Sequence, residues 1–289
     1  MSAIWQKHCF SSGRIYSHSM NSGSPVTFEN VSKRFRTPKG TWYQALAGLD
    51  FEIKAGEFVS LVGPTGCGKS TALTLLAGLE QPSIGSVKVN GKEVSKIDTS
   101  TGFVFQHDAT FPWMNVYNNI AAGPKFRGVK DYDELVRTWI GKVGLTGFES
   151  NFPHQLSGGM KKRVALAQSL INEPSLLLMD EPFSALDVQT RSIMTDELVT
   201  IWETTGSTVV FVTHDLEEAI ALSDRVIVLT AGPAKVKADF KIDLVRPRKA
   251  RDIRFTEEFL KIYQDIWSVL REEVDLAYQR QLVAPGKGK

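Results

Sequence analysis

The stretch Glu57-Phe58-Val59-Ser60-Leu61-Val62-Gly63-Pro64-Thr65-Gly66-Cys67-Gly68-Lys69-Ser70 decides the fold. Its first six residues make an apolar run of strand length, and the Ala- and Leu-rich segment 71–79 predicts a buried helix. Between them, Gly63-x-x-x-x-Gly68-Lys69-Ser70 has the spacing of a phosphate-binding loop (P-loop), with the strand before and helix after that it requires. Glycines let the backbone curl until successive N–H groups point inward at phosphate oxygens. The positive end of the following helix adds to that field. Lys69 is placed to reach the β- and γ-phosphates of a nucleotide, and Ser70 to complete a Mg²⁺ shell. The nucleotide-binding candidates are therefore Gly63, Pro64, Thr65, Gly66, Cys67, Gly68, Lys69, Ser70 and Thr71. Cys67 serves there through its amide, not its thiol.

Composition narrows the class. Among 289 residues, 34 Lys and Arg stand against 32 Asp and Glu, and 42% are apolar. That balance excludes a disordered chain and a disulfide scaffold, and gives no support to a general nucleic-acid binder. The length suits one large domain or two modest ones. Cys9 and Cys67 do not form a disulfide framework, which fits a reducing, cytosolic compartment. The longest apolar runs, such as 175–179 and 208–212, fall far short of the ~18 residues that suggest a membrane span. The leader 1–24 contains Lys7 and Arg14 but no apolar core, so it reads as a flexible tail rather than a secretory signal.

Short strands are expected at 26–31 and 49–53 around a polar loop, and again at 102–105, 175–179, 208–213 and 225–229. Residues 87–94 alternate about Asn90-Gly91, a hairpin signal because both turn positions need positive φ. Helices are expected at 131–143 (stopped by Gly144), 157–171, 188–204 and 215–222. Strands alternating with helices imply an α/β fold, a mainly parallel sheet covered by helices on both faces. Residues 235–244 alternate like a half-exposed edge strand. Residues 257–274 carry Phe259, Ile262, Ile266, Val269, Leu270 and Val274 along one docked helix face. The basic cluster Arg246, Arg248, Lys249, Arg251 and Arg254 reads as a solvated linker, with contact to anionic lipid headgroups or a partner as the alternative.

Leu176-Leu177-Leu178-Met179-Asp180-Glu181 ends a buried strand in two acids. In a parallel sheet ligands gather at the carboxyl ends of strands, the edge where a P-loop sits. Asp180 is thus a Mg²⁺ candidate, and Glu181 a candidate to position an attacking water. Leu156-Ser157-Gly158-Gly159-Met160 opens a helix containing Arg163, where Ser157 and the amides of Gly158 and Gly159 make a second anion site.

With Asp180-Glu181-Pro182 downstream, this segment resembles the signature of ATP-binding cassette (ABC) ATPases, and the likeness runs from about 26 to 244 with each motif in the family's order. The resemblance implies a P-loop NTPase with an antiparallel β subdomain and a helical signature subdomain at about 107–172. The cassette would span 25–245, between the leader 1–24 and an extension of linker, helix and tail at 246–289. The resemblance further implies that Phe35 stacks on adenine, core packing being its other reading, and that Gln106 senses Mg²⁺ and γ-phosphate. His214 would contact the γ-phosphate. Ser184-Ala185-Leu186-Asp187 would cross a dimer interface, and Ser157 would act on ATP held by a second copy. The catalytic set is then Glu181, His214, Gln106 and Lys69, with Asp187 at the nucleotide and Ser70, Gln106 and Asp180 at the metal. His8, His18, His107 and His154 are left to surface or structural roles. Two positions depart from the pattern: Met160 replaces a glutamine, and Gln168 stands where many relatives carry arginine.

Phe111-Pro112-Trp113-Met114-Asn115-Val116 and the methionine-ending signature resemble importer subunits of the nitrate, sulfonate and taurine group. This implies an ATPase peripheral to the cytoplasmic face of the cell membrane, with ATP and Mg²⁺ as cofactors. Its partners would be a second copy, a membrane permease and, indirectly, a solute-binding protein, with no nucleic acid. Phe111 and Trp113 suit either a permease contact or core packing. The rival class is an ABC ATPase acting on nucleic acid or ribosomes. Such proteins insert long coiled coils between P-loop and signature, or fuse two cassettes; here 71–155 is short and lacks sustained heptads.

Overall fold

The computed structural model describes residues 23–106, 109–184, 186–246 and 248–283. Nearly all of the leader with His8, Cys9 and His18, together with His107, Ala185 and the tail 286–289, lie outside the described residues.

The described residues begin with a long antiparallel hairpin, β1 (Val26–Arg36) and β2 (Trp42–Ile53), then run through β3 (Phe58–Val62) into α1 (Lys69–Leu76). A second hairpin, β4 (Ile84–Val89) and β5 (Lys92–Glu93), turns at Asn90 and Gly91, both at positive φ as the sequence required. β6 (Thr101–Val104) leads to α2 (Val116–Phe126) and α3 (Asp133–Lys142). One 3-10 turn at Pro153–Gln155 precedes α4 (Gly158–Leu170). The second half reads β7 (Leu176–Asp180), α5 (Val188–Thr205), β8 (Thr208–Val212), α6 (Leu216–Leu222), β9 (Arg225–Leu229) and β10 (Val236–Lys241). Two helices close it, α7 (Ala250–Ile253) and α8 (Glu257–Val283).

The main sheet has the order β10-β9-β3-β8-β7-β6, parallel throughout except for the edge strand β10. Successive residues of its central strands face opposite cores. Leu177, Met179, Val209 and Phe211 pack with Phe58 and the helical residues of α2 to α5, while Leu176, Leu178, Val210 and Val212 pack with α1 and the smaller sheet, β2-β1-β4-β5. Burial on both faces explains why these strands read as unbroken apolar runs. A third cluster joins α6, β9 and β10 to α8 through Phe259, Ile266 and Leu270.

Four elements differ from expectation. β1 and β2 extend well past the predicted strands, because register shifts between Phe28 and Val31 and between Val31 and Arg34 break the period-two pattern that marks a strand. α2 was not expected: its sequence carries Gly123 and Pro124, and its fully buried Asn119 looks polar in the sequence. α8 continues past Val274 to Val283, where the apolar stripe gives way to exposed Leu276, Tyr278 and Leu282.

The basic cluster is not a solvated linker. Arg248 is 6% exposed, and its guanidinium donates to the carbonyls of Ile220 (3.2 Å), Ser223 (2.6 Å), Ile242 (3.0 Å) and Leu244 (2.8 Å). Burial lowers its pKa to about 10. Arg246 pairs with Asp224 at 2.8 Å and lies over the Trp202 ring, while Arg254 stands 3.6 Å from Glu217. Lys249 is exposed, and the Arg251 side chain lies outside the described residues. The cluster therefore welds the end of β10 to α6. Arg248→Met strands four buried acceptors, so urea denaturation should show a loss of about 2–4 kcal/mol. A loss near zero would return the cluster to the surface.

Candidate functional site

Four parallel strands end at one edge and deliver the expected residues there: β3 to the P-loop, β6 to Gln106, β7 to Asp180 and Glu181, and β8 to His214. Ligands of open parallel sheets bind at this edge.

The P-loop curls tightly. Cys67 N donates to Pro64 O at 3.2 Å, and Gly68, at φ 127°, is the cap from which α1 starts. A Cβ at Gly68 would meet Ala45 O and a Leu46 methyl at 2.8 Å, so glycine is required by both φ and space. Lys69 is 5% exposed, and its Nζ donates to Gly63 O at 2.7 Å and Pro64 O at 3.0 Å. The ammonium thus lies against its own loop, while Thr65, Gly66 and Ser70 face solvent. Thr71 sits in the first turn of α1. Cys67 is 1% exposed, and burial pushes its thiol pKa up, which makes it unreactive.

Ser70 Oγ donates to Asp180 Oδ1 at 3.1 Å. Asp180 is buried, which raises its pKa against the pull of Ser70 and Lys69. A desolvated carboxylate beside a hydroxyl is a hard oxygen pair whose charge a cation would offset, and it fits Mg²⁺.

Glu181 holds a left-handed backbone, φ 43°. Its N–H donates to Val212 O at 2.9 Å, and Ser184 donates to its carbonyl through N (3.3 Å) and Oγ (3.0 Å), so the strained conformation is fixed from both sides. Its Oε2 lies 3.2 Å from His214 Nδ1 and accepts from Gln106 Nε2 at 3.3 Å. Three of the four expected catalytic residues therefore meet at one oxygen. The segment carrying His214 is braced beneath: Asp215 N donates to Thr213 Oγ1 at 3.0 Å, and that hydroxyl donates to Glu218 Oε2 at 2.7 Å. Burial pushes the Glu218 pKa up to about 7.

Two expected residues cap helices. Ser157 Oγ accepts from Met160 N at 3.3 Å and opens α4, with Ser157 and Gly158 exposed and open space beside Gly158. Gly159 approaches Leu186 and Thr190. Asp187 caps α5, accepting from Gln189 N (3.1 Å) and Thr190 N (3.0 Å), bonds that hold its carboxyl below the usual range. Met160, in place of glutamine, packs against the helical core.

Phe35 is half-buried against the core, with Lys33 Nζ 4.9 Å from its ring centroid, so packing accounts for much of its surface. Opposite it in the hairpin register stands Tyr43, half exposed, whose hydroxyl donates to Gly66 O at 3.3 Å. The sequence reading missed Tyr43; extending the two strands to their true ends would have paired it with Phe35. It also missed Lys162 of α4, which is 1% exposed and donates to the carbonyls of Phe105 (3.1 Å) and Gln106 (2.5 Å). Nothing in spacing separates it from Lys161.

The family pattern described as ABC transporter matches residues 46–184. An uncharacterised ABC transporter ATP-binding protein of Methanocaldococcus jannaschii is 45% identical over 248 residues, 85% of this chain and 91% of its own length. The chain belongs to the ABC transporter ATP-binding family. Other ABC relatives include an aliphatic sulfonates import ATP-binding protein of Bacillus cereus, 41% identical over 83% of this chain and 94% of its own. A taurine import ATP-binding protein of Roseobacter denitrificans is 38% identical over 86% of this chain and 96% of its own. The fold matches a dimeric ATP-binding cassette in a post-hydrolysis state, bound to ADP and phosphate, with a TM-score of 0.69 and 31% identity over 76% of this chain and all of that one. This ABC protein is an ATPase, converting ATP and water to ADP and phosphate.

Proposed function

We propose that this chain is the motor subunit of an importer for a small solute of the nitrate, sulfonate or taurine kind, working as a pair of identical copies on the cytoplasmic face of a membrane permease. The observation that carries the chemistry is the convergence of Gln106 and His214 on the Glu181 carboxylate, next to the Ser70–Asp180 pair. In this reading residues 25–245 form the catalytic cassette, and 246–289 an extension.

The P-loop amides receive the phosphates, and Lys69 exchanges its two backbone carbonyls for β- and γ-phosphate oxygens. Ser70, Asp180 and Gln106 would hold Mg²⁺, which when bound neutralises charge on those oxygens. Glu181 takes a hydrogen bond from the attacking water and so orients it, while His214 fixes the carboxylate and touches the γ-phosphate. Phe35 supplies a stacking face for adenine. The exposed Ser157, with the Gly158 and Gly159 amides at the start of α4, receives the phosphates of ATP held by the second copy, and Asp187 borders that junction. The dimeric state of similar solved cassettes supports the pairing. Binding would close the pair and hydrolysis release it, which drives the permease between two states.

Trp113 is 70% exposed, which favours a permease contact over core packing for that residue. Its loop is braced by the buried Asn119, which accepts from Phe111 N (2.7 Å) and donates to Met114 O (2.8 Å). A rigid loop presenting an aromatic suits a docking surface. The sulfonate and taurine part of the solute class rests on relatives named for aliphatic sulfonates and taurine. The chain, tagged and extracted from native membranes in mild detergent, is expected to bring integral membrane subunits with it. Recovery without them, with ATPase activity stimulated by nucleic acid, would overturn the importer reading.

A further inference from the structure

The ATP-site motifs all precede residue 215, yet the P-loop rests on a later segment. Residues 230–235 join β9 to β10. A Cβ on Gly232 would stand 3.6 Å from the Cα and carbonyl oxygen of Cys67 and 3.7 Å from Gly66 O, so this segment runs beside the P-loop backbone with room for no more than a methyl group between them. Ala234 bonds to β2 in both directions: its N–H donates to Ala45 O at 2.9 Å, and its carbonyl accepts from Ala47 N at 3.0 Å. Ala45, Leu46 and Ala234 are the three groups that close around Gly68. The curl of the P-loop is therefore cast against residues 232–234 and the strand they hold.

That support is gripped in turn by α8. Glu273 is 6% exposed; its Oε2 accepts from Ala231 N at 2.7 Å, and its Oε1 lies 3.1 Å from Lys237 Nζ on β10. Arg280, about two turns further on, donates through Nη1 to Ala231 O (3.3 Å) and Gly232 O (2.5 Å). A carboxylate buried on a helix that otherwise docks through Phe259, Ile266 and Leu270 costs desolvation unless it is fully paired. Here its partners are a β10 lysine and the backbone that backs the P-loop. The ATP-site motifs do not call on α8, which lies outside the matched segment 46–184.

We infer that Glu273 and Arg280 are positioning residues for nucleotide binding: α8 clamps residues 231–232, and that clamp keeps the P-loop curled with its amides set for phosphate. The inference rests on residues 63–70 being the ATP site.

The test is isothermal calorimetry of the full chain with MgATP. Arg280→Ala should raise Kd by about 5- to 20-fold, and Glu273→Gln, which keeps an oxygen for Ala231 N but loses the charge facing Lys237, by less, with the far-UV spectrum retained at the assay temperature. Arg280→Lys, which still donates to carbonyls, should recover most of the affinity. Arg271→Ala, on the solvent face of the same helix, should bind as wild type. A merely structural role would lower the unfolding temperature and leave Kd alone. Folded Arg280→Ala protein with wild-type Kd overturns the inference, and since Arg280 is exposed, this variant decides the matter even if Glu273→Gln does not fold. Wild-type affinity in Lys69→Ala would instead overturn the ATP-site assignment itself.

Discussion

Glu181→Gln should cut ATP turnover by about 10²- to 10⁴-fold while ATP binding survives. The amide is isosteric, and its oxygen can still accept from Gln106 Nε2, so the geometry at that side chain need not change. What it loses is the negative charge that faces His214 and that, in the proposed mechanism, orients the water. The left-handed backbone at residue 181 is held by Val212 and Ser184 and does not depend on the side chain. Because hydrolysis is what would separate the paired copies, ATP-bound dimers should accumulate. Phosphate release and size-exclusion chromatography in MgATP read both effects. Wild-type turnover in this variant would remove Glu181 from the chemistry.

The second large effect is on binding. Lys69 is already desolvated and already committed to two carbonyl acceptors, Gly63 O and Pro64 O. Moving the ammonium onto phosphate oxygens exchanges neutral acceptors for charged ones, and hydrogen bonds to charged groups contribute about 1.5–3 kcal/mol each. Lys69→Ala should therefore weaken MgATP binding by roughly two orders of magnitude, with a smaller change in stability, since only one chain's loop contacts are lost. Calorimetry measures the affinity, and an unchanged Kd would show that the loop does not grip phosphate through this residue.

The parts legible in the sequence are those whose physics is local. β3, β7, β8 and β9 are buried on both faces and so appear as uninterrupted apolar runs, and the ends of the first three carry the P-loop, Asp180, Glu181 and His214 within one or two residues. The Asn90-Gly91 turn was legible for the same reason, as both residues must take positive φ. What stayed hidden depends on register or on distant partners. The bulged pairing of β1 with β2 concealed the facing of Phe35 and Tyr43. The inward Asn119 and the Gly123-Pro124 pair masked α2. Arg248 looked like one surface charge among five, because its acceptors come from α6, residue 223 and the end of β10. Lys162 and Glu273 are likewise defined by backbone groups far away in sequence.

In the proposed pair each ATP is held by Lys69 of one copy and Ser157 of the other. The direct measurement is ATP turnover in a mixture of two inactive chains, Lys69→Ala and Ser157→Arg. In the mixed pair both lesions fall in one site, and the other site has an intact Lys69 and an intact Ser157. A shared site predicts that mixing restores turnover that neither variant has alone. Wild-type turnover by Ser157→Arg alone, or no recovery on mixing chains shown to pair, would contradict it.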